Sequence, residues 1–483
     1  MMMAIQTIVW LAVGLATSRP AGDARPDPLA SAVAALKVDK AVEGLDVGVA
    51  VRCVDANSPV IGSGSERLMN PASGTKLLTT AAALAAFGAD HRFATRAFGH
   101  LERDGKVAGP LVIVPAGDPS FQVQGFSELG KALMDAGVRH VPNGIVVDLG
   151  GFPLSDVPPA FDQKKTDAAY RPLVPPLAAF DGAITVTVKP GPKVGDPVRV
   201  TMNPAGRTIE LVNSATTAAG KAIDKLEITT AHRAGGTSGE GMTQVIVRGT
   251  LGQKAPAQGA RKRLQAPLAT AVDELLRAMR KAGITVETIA VSRTPVNNRG
   301  PELASASGAT VAEIISTINI HSNNFWAEAL FRLLDSPDGG QARTWERAAA
   351  AVGKLLGERF GLARGEFRIV NGSGLYDATH ITPRAMTALL SAHAGDDDTA
   401  RAFRASLARA GETGTLRKRL KSLKGRVSAK TGTLDAALSL SGFIAREGAC
   451  TLAFSAMVGG EIGERAGRVN GAIDRFVMAL AKR

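Results

Sequence analysis

The sequence predicts a multidomain α/β protein in which one domain is assembled from both ends of the chain, split by an inserted α/β domain that itself carries an all-β module. Three observations lead there. A β-branched stretch at residues 45–54 and three strand-like runs at 426–431, 438–444 and 450–458 stand at opposite ends of the chain, with helical patterns between them. Two matching helix-then-strand units, 127–136 with 144–148 and 271–282 with 288–291, lie far apart and read as halves of one interrupted domain. Between them, five short strands at 183–188, 198–202, 209–212, 226–229 and 244–247 are separated by Gly, Pro, Asn and Asp, the pattern of a small sandwich or barrel-like module. With 483 residues the chain also exceeds what one hydrophobic core usually serves. The expected parts are 28–90 and 301–483 for the split domain, 91–155 and 266–300 for the inserted domain, and 156–265 for the β-rich module.

Taken in order, residues 4–16 are an apolar run followed by a polar, Pro-rich stretch to residue 28. That is the shape of a secretory signal core, too short to span a bilayer comfortably, although the positive charge before it is only the terminal amine. Residues 1–25 are therefore expected to be a signal peptide and the protein to be exported. No other stretch is apolar enough for a transmembrane anchor. The strand at 45–54 runs through the turn-rich residues 55–65 to Asn70-Pro71 and then an Ala/Leu-rich helix, 76–87, closed by Gly88. Strand-like pieces follow to residues 111–114 and the turn Gly117-Asp118-Pro119-Ser120. After the insertion, helices are expected at 310–318, 324–334, 343–360, 383–393 and 399–410, with a last one from Val469.

Ser73-Gly74-Thr75-Lys76 opens the first of these helices, and residues three apart share a helix face, so Ser73 and Lys76 can project into one space. A serine hydroxyl needs a neighbouring base to act as a nucleophile, and a lysine serves if burial or nearby cations lower its pKa. Alone the pattern is weak, because a capped helix with a surface lysine looks the same. His321-Ser322-Asn323-Asn324 begins a second helix, and Lys430-Thr431-Gly432-Thr433 lies on a late strand.

The composition, 45% hydrophobic and 21% charged, is that of a globular protein. The net charge of +13 does not point to nucleic acid, since the basic residues are scattered and no aromatic ladder accompanies the runs Arg261-Lys262-Arg263 and Arg417-Lys418-Arg419-Leu420-Lys421. Both runs read as solvated faces, and the basic balance suits work beside an anionic polymer such as a bacterial wall. The two cysteines, Cys53 and Cys450, cannot by themselves make a four-ligand zinc site.

Together, in the order Ser-x-x-Lys, Ser-x-Asn, Lys-Thr-Gly, the three patterns resemble the active-site set of the penicillin-recognising serine enzymes. The long stretch between Ser73 and Ser322 is similar to the insertion of the class C low-molecular-mass penicillin-binding proteins, the D-alanyl-D-alanine carboxypeptidase/endopeptidase family. Gly372-Ser373-Gly374-Leu375, Gly414-Thr415-Leu416 and Ser441-Gly442-Phe443 agree with it, so the resemblance covers nearly the whole chain after the apolar run. It implies that the split domain has a β-lactamase/transpeptidase-like fold, an antiparallel sheet flanked by helices. It implies acylation of Ser73 by peptidoglycan stem peptides and by β-lactams as covalent inhibitors, with Lys76 as base. Ser322 would relay a proton to the leaving amine, Asn324 would bind the substrate amide, and Lys430 would supply positive potential. Thr431, Gly432 and Thr433 would line the substrate strand, and the backbone N–H groups of Ser73 and Thr433 would form the oxyanion hole. No metal or organic cofactor is implied, nor any nucleic-acid partner.

The resemblance also makes the strands of Cys53 and Cys450 antiparallel neighbours, which permits a disulfide without requiring one. His321 reads as structural, and Glu328 as a structural acid on its helix. One departure stands out: relatives that bind diaminopimelate carry an arginine for its side-chain carboxylate where this chain has Asp377. The expectation is a preference for an amidated or otherwise altered stem peptide, unless Asp377 is merely a surface residue. A β-lactam hydrolase or esterase, and a catalytically idle wall-binding homologue, are the alternatives.

Overall fold

The computed structural model describes residues 27–55, 58–152, 155–236, 239–335 and 343–482. The expected signal segment, 1–25, lies outside the described residues. The sheet built from both ends of the chain has six antiparallel strands in the order Ala408–Arg409, Val427–Leu434, Ala437–Ile444, Leu452–Gly459, Asp46–Cys53, Ile61–Ser63. Asp46 pairs with Gly459 and Cys53 with Leu452, so the early strand is stitched between late ones. Side chains alternate along these strands. On Leu452–Gly459, Phe454, Ala456 and Val458 face one core with the helices Pro28–Lys37 and Ala466–Leu480, whereas Ala453 and Met457 face the other. That second core is built around the helix Thr75–Phe87, buried on every side from Thr75 to Leu84. A helix buried on every side is a central one, and this one is enclosed by neighbours at Val311–His321, Asn324–Leu333 and Trp345–Phe360, with Thr75, Lys76, Thr79 and Thr80 among its buried residues.

The two matching units do form one sheet: Ile145–Asp148 and Ile289–Ser292 are parallel neighbours, and their helices, Val123–Asp135 and Pro267–Lys281, share a core. The order is Ile289–Ser292, Ile145–Asp148, Val107–Val114, Arg92–Leu101, Glu302–Thr310. The last strand corrects the sequence reading, because residues expected to reopen the split domain at 301 pair with Arg92–Leu101 instead.

The β module has two sheets around one core: Gln258–Arg263, Ala183–Lys189 and Arg199–Asn203 in one, and Ile209–Asn213, Thr216–Ala218, Leu226–Arg233 and Met242–Gly252 in the other. Two of its strands were not expected. Gln258–Arg263 holds the basic run read as a solvated face, and its cations are engaged: Lys262 with Asp167 at 2.8 Å and Arg261 with Asp181 at 3.2 Å. Residues 156–182, expected in the module, carry the single turns Phe161–Gln163 and Phe180–Gly182 and one bridge, Ala168 to Lys262, that ties them to the module edge. Two further corrections are local. Pro28–Lys37 is a helix the sequence reading left unassigned, capped by the Asp27 carboxylate. The helix expected over 399–410 is Asp398–Ala405; Ser406 Oγ bonds back to Phe403 O at 2.6 Å, and Ala408–Arg409 joins the sheet edge.

Cys53 and Cys450 are joined by a disulfide across 397 residues of sequence. A link over so long a loop restricts the unfolded chain, with a typical effect of about 2–4 kcal/mol. The double variant Cys53→Ser/Cys450→Ser should lose that much in urea unfolding of the split domain; an unchanged midpoint would show that the link leaves stability untouched.

Candidate active site

Ser73 is presented by a strained turn. Ala72, just before it, has φ +48°, in the left-handed region that costs a non-glycine residue about 1 kcal/mol or more. The turn is held from both sides: Ala72 N–H donates to Asn70 Oδ1 at 2.8 Å, and Ser439 Oγ donates to Pro71 O at 2.6 Å. Ser73 lies in the 3-10 turn Ala72–Gly74 that feeds the buried helix, as the Pro-initiated pattern predicted. One turn on, Lys76 is fully buried, and its ammonium donates to Ser73 Oγ at 3.0 Å, Asn324 Oδ1 at 2.7 Å and Ser373 O at 2.8 Å.

The remaining expected residues converge on this point. Ser322 sits between two helices with φ +56°, and its hydroxyl accepts from Lys430 Nζ at 2.9 Å. Asn323 caps the following helix, which sets Asn324 at its first turn; Asn324 Nδ2 donates to Tyr170 O at 2.6 Å. Lys430 and Thr431 lie buried on Val427–Leu434, where Thr431 Oγ1 donates to Thr415 Oγ1 at 2.8 Å. Gly432 faces the serine turn so closely that a Cβ would stand 2.2 Å from Ser439 Oγ and 2.3 Å from Pro71 O. Thr433 is exposed on the same strand.

The electrostatics follow from burial. Desolvation, and then the charge of Lys430, hold the Lys76 pKa well below that of an ordinary lysine, while Glu328 pulls the other way. Burial lowers Lys430 to about 7. Glu328 is itself buried, which raises its carboxyl. Its two oxygens accept from Gly372 N at 3.0 Å and Ser373 N at 2.8 Å, so it holds in place the loop whose carbonyl binds Lys76. That is the structural role its helix position suggested. His321 ends its helix exposed, and Ser73 Oγ meets Lys76.

Several partners were not legible beforehand. The Tyr170 carbonyl carries no side-chain signal at all. Thr415 and Ser373 belong to short blocks whose function the spacing alone does not give. Asp181, in the Phe180–Gly182 turn, accepts from Trp326 Nε1 at 2.7 Å and Asn323 Nδ2 at 3.2 Å, and its other partners are Gln122 and Arg261. Asp377 is exposed; its carboxylate accepts from Asn70 Nδ2 at 3.2 Å and lies 3.1 Å from His380 Nε2. Cys53, Asp55 and Cys450 come together, but both sulfurs are in the disulfide and are not free to ligate a metal.

A half-buried serine bonded to a buried, depressed lysine, beside a second serine–lysine pair, defines an acylating serine hydrolase. The known proteins agree. The model of the D-Ala-D-Ala carboxypeptidase 3 (S13) family matches residues 29–480, and the chain belongs to that family. It is 30% identical to a D-alanyl-D-alanine carboxypeptidase of Actinomadura sp. (strain R39), over 95% of this chain and 87% of the relative. Penicillin binding protein 4 of Haemophilus influenzae has a similar structure, with a TM-score of 0.77 at 20% identity over 94% of this chain and 98% of that one. A predatory peptidoglycan endopeptidase of Bdellovibrio bacteriovorus shares the fold more loosely, with a TM-score of 0.53 at 14% identity over 90% and 92% of the two chains. The chain is thus a serine peptidase, with the α/β architecture of its structural neighbours.

A base acts only when unprotonated, so acylation should rise with pH through the Lys76 pKa. Lys430→Gln removes the positive neighbour that depresses Lys76. The variant should acylate about a hundredfold more slowly or worse, with the acid limb of its rate profile moved to higher pH. An acid limb that stays in place would assign it to another group.

Proposed function

We propose that the chain is a serine-type D-alanyl-D-alanine carboxypeptidase with DD-endopeptidase capacity, acting on peptidoglycan stem peptides and acylated by penicillins. The observation that carries this is the 3.0 Å contact between Lys76 Nζ and Ser73 Oγ within the site completed by Ser322, Asn324 and Lys430. Neutral Lys76 takes the Ser73 proton as Oγ attacks the carbonyl of the penultimate D-alanine. The oxyanion rests on the backbone N–H groups of Ser73 and Thr433. Ser322 passes a proton to the leaving amine, Asn324 orients the substrate amide, and water later hydrolyses the ester. Lys430, with Thr431 and Thr433, receives the terminal carboxylate. Support for the binding mode comes from the sheet: Ala408–Arg409 pairs only with Ser428 and Ala429, so from Lys430 onward that strand edge has no partner among the described residues. A peptide can add there as a further strand. The apolar run at residues 4–16 supports export, to the periplasm or cell-wall space.

Intact-protein mass after exposure to a labelled penicillin tests the nucleophile. A persistent adduct on the parent chain and none on Ser73→Ala is expected, together with release of D-alanine from a stem pentapeptide by the parent alone. An adduct lost within seconds would favour β-lactam hydrolysis, and no adduct would favour an idle homologue.

The rim of the cleft bears on the third residue of the stem. Asp377 and Asp435 are both acidic and exposed, and Lys164 is engaged by Asp435. A free side-chain carboxylate on the substrate would meet like charge, so the preferred substrate is amidated or uncharged there. Asp377→Arg should raise kcat/KM for the carboxylate-bearing peptide relative to the amidated one by about two- to fivefold, roughly the value of one exposed ion pair. An unaltered ratio would make Asp377 a surface residue only.

A further inference from the structure

Residues 183–263 contain twelve Lys and Arg against five Asp and Glu, more than half of the +13 net charge of the chain. The excess is concentrated at one end of the β module, where three loops meet. Gln253 Nε2 donates to Pro192 O at 2.8 Å, Gly195 N to Thr217 O at 2.8 Å, and Lys254 N to Gly220 O at 2.9 Å. These bonds bring Lys193, Lys221, Lys225 and Lys254 to a common tip, all exposed and none in an ion pair among the described residues. Lys189 and Arg199 are register partners at its base and add two more like charges, against Asp196 and Asp224. The same loops carry Val194, 56% exposed, and Ile223, 47% exposed. Val194 and Ile223 thus stand exposed among the lysines of the same loops, which pairs apolar side chains with positive charge at one tip.

The tip lies away from the chemistry. Ala183–Lys189 starts beside Asp181, which is bonded to Asn323 and Trp326 of the catalytic helix, and ends at the tip. Met242–Gly252 starts where Thr243 Oγ1 accepts from Gln265 N and Ala266 N, at the junction with Pro267–Lys281, and also ends there. Strand rise makes that run about 30 Å long.

We propose that this tip docks on an anionic lipid surface. Val194 and Ile223 enter the boundary between headgroups and acyl chains while the lysines face acidic headgroups. An anionic polymer would be satisfied by the cations alone; the exposed aliphatics between them are what a bilayer interface takes up. The length of the module then holds the catalytic cleft well clear of the lipid, at the height of the peptides it cuts.

Flotation of the full chain with vesicles of phosphatidylcholine, with and without phosphatidylglycerol, tests this. Residues 4–16 are common to every variant, so variants of the same chain are compared. The parent should bind the phosphatidylglycerol vesicles at least tenfold more tightly. The variant K193Q/K221Q/K225Q/K254Q should fall to the phosphatidylcholine level, and V194S/I223S should lose affinity severalfold. Both should acylate with penicillin at the parent rate, which reports an intact fold. Equal binding by parent and quadruple variant overturns the proposal. It is also overturned if V194S/I223S keeps full affinity while the quadruple variant loses vesicles and soluble polyphosphate alike, the signature of a polymer site.

Discussion

A lysine with no carboxylate in contact, sealed inside an apolar core, is the constraint to which the rest of the structure answers. Lys76 donates to a serine hydroxyl, an amide oxygen and a backbone carbonyl, none of which carries a charge to neutralise it. The one buried acid near enough to act on it, Glu328, has its oxygens taken by the amides of Gly372 and Ser373. Desolvation of the ammonium is therefore left standing, and it holds the Lys76 pKa well below that of an ordinary lysine. Close contacts enforce the arrangement: at Gly374, with φ +72°, a Cβ would come within 2.0 Å of Ala72 O, so that loop and the serine turn fit only with glycine there.

The insertion is part of this enclosure. Its segment 155–182 supplies the Tyr170 carbonyl to Asn324 and the Pro159 carbonyl to Asn371 Nδ2, at 2.6 Å and 3.1 Å. Asp181, at its end, ties the first catalytic helix residues to Gln122 of the inserted domain and Arg261 of the β module. A displacement of either inserted part is thus felt one residue away from Asn324.

The sequence was most readable where local pattern and chemistry coincide. Ser73-x-x-Lys76 on an Ala/Leu helix opened by a proline, and Lys430-Thr431-Gly432 on a strand, needed only helix and strand periodicity to place their side chains. Ser322 and Asn324 were legible as a pair, but the left-handed backbone at Ser322 that aims its hydroxyl at Lys430 was not. The paired helix–strand units revealed the interrupted domain. Glu302–Thr310 was missed because its Ala, Ser and Gly residues have weak strand preference, and the pairing with Arg92–Leu101 is supplied by a partner distant in sequence. Gln258–Arg263 was misread for a related reason: its charges find partners only through tertiary contacts. The Cys53–Cys450 link depended on register, which no local pattern sets.

The stitching of Asp46–Cys53 against Leu452–Gly459 has a consequence for the order of assembly during synthesis. Ser73 is made well before the strands bearing Lys430 and Ser439 and before Leu452–Gly459, the partner of the first strand. The intervening domains, whose contacts are nearer in sequence, can form first and shorten the loop that must close. A growing chain consequently contains Ser73 before it contains the strand that lines its cleft.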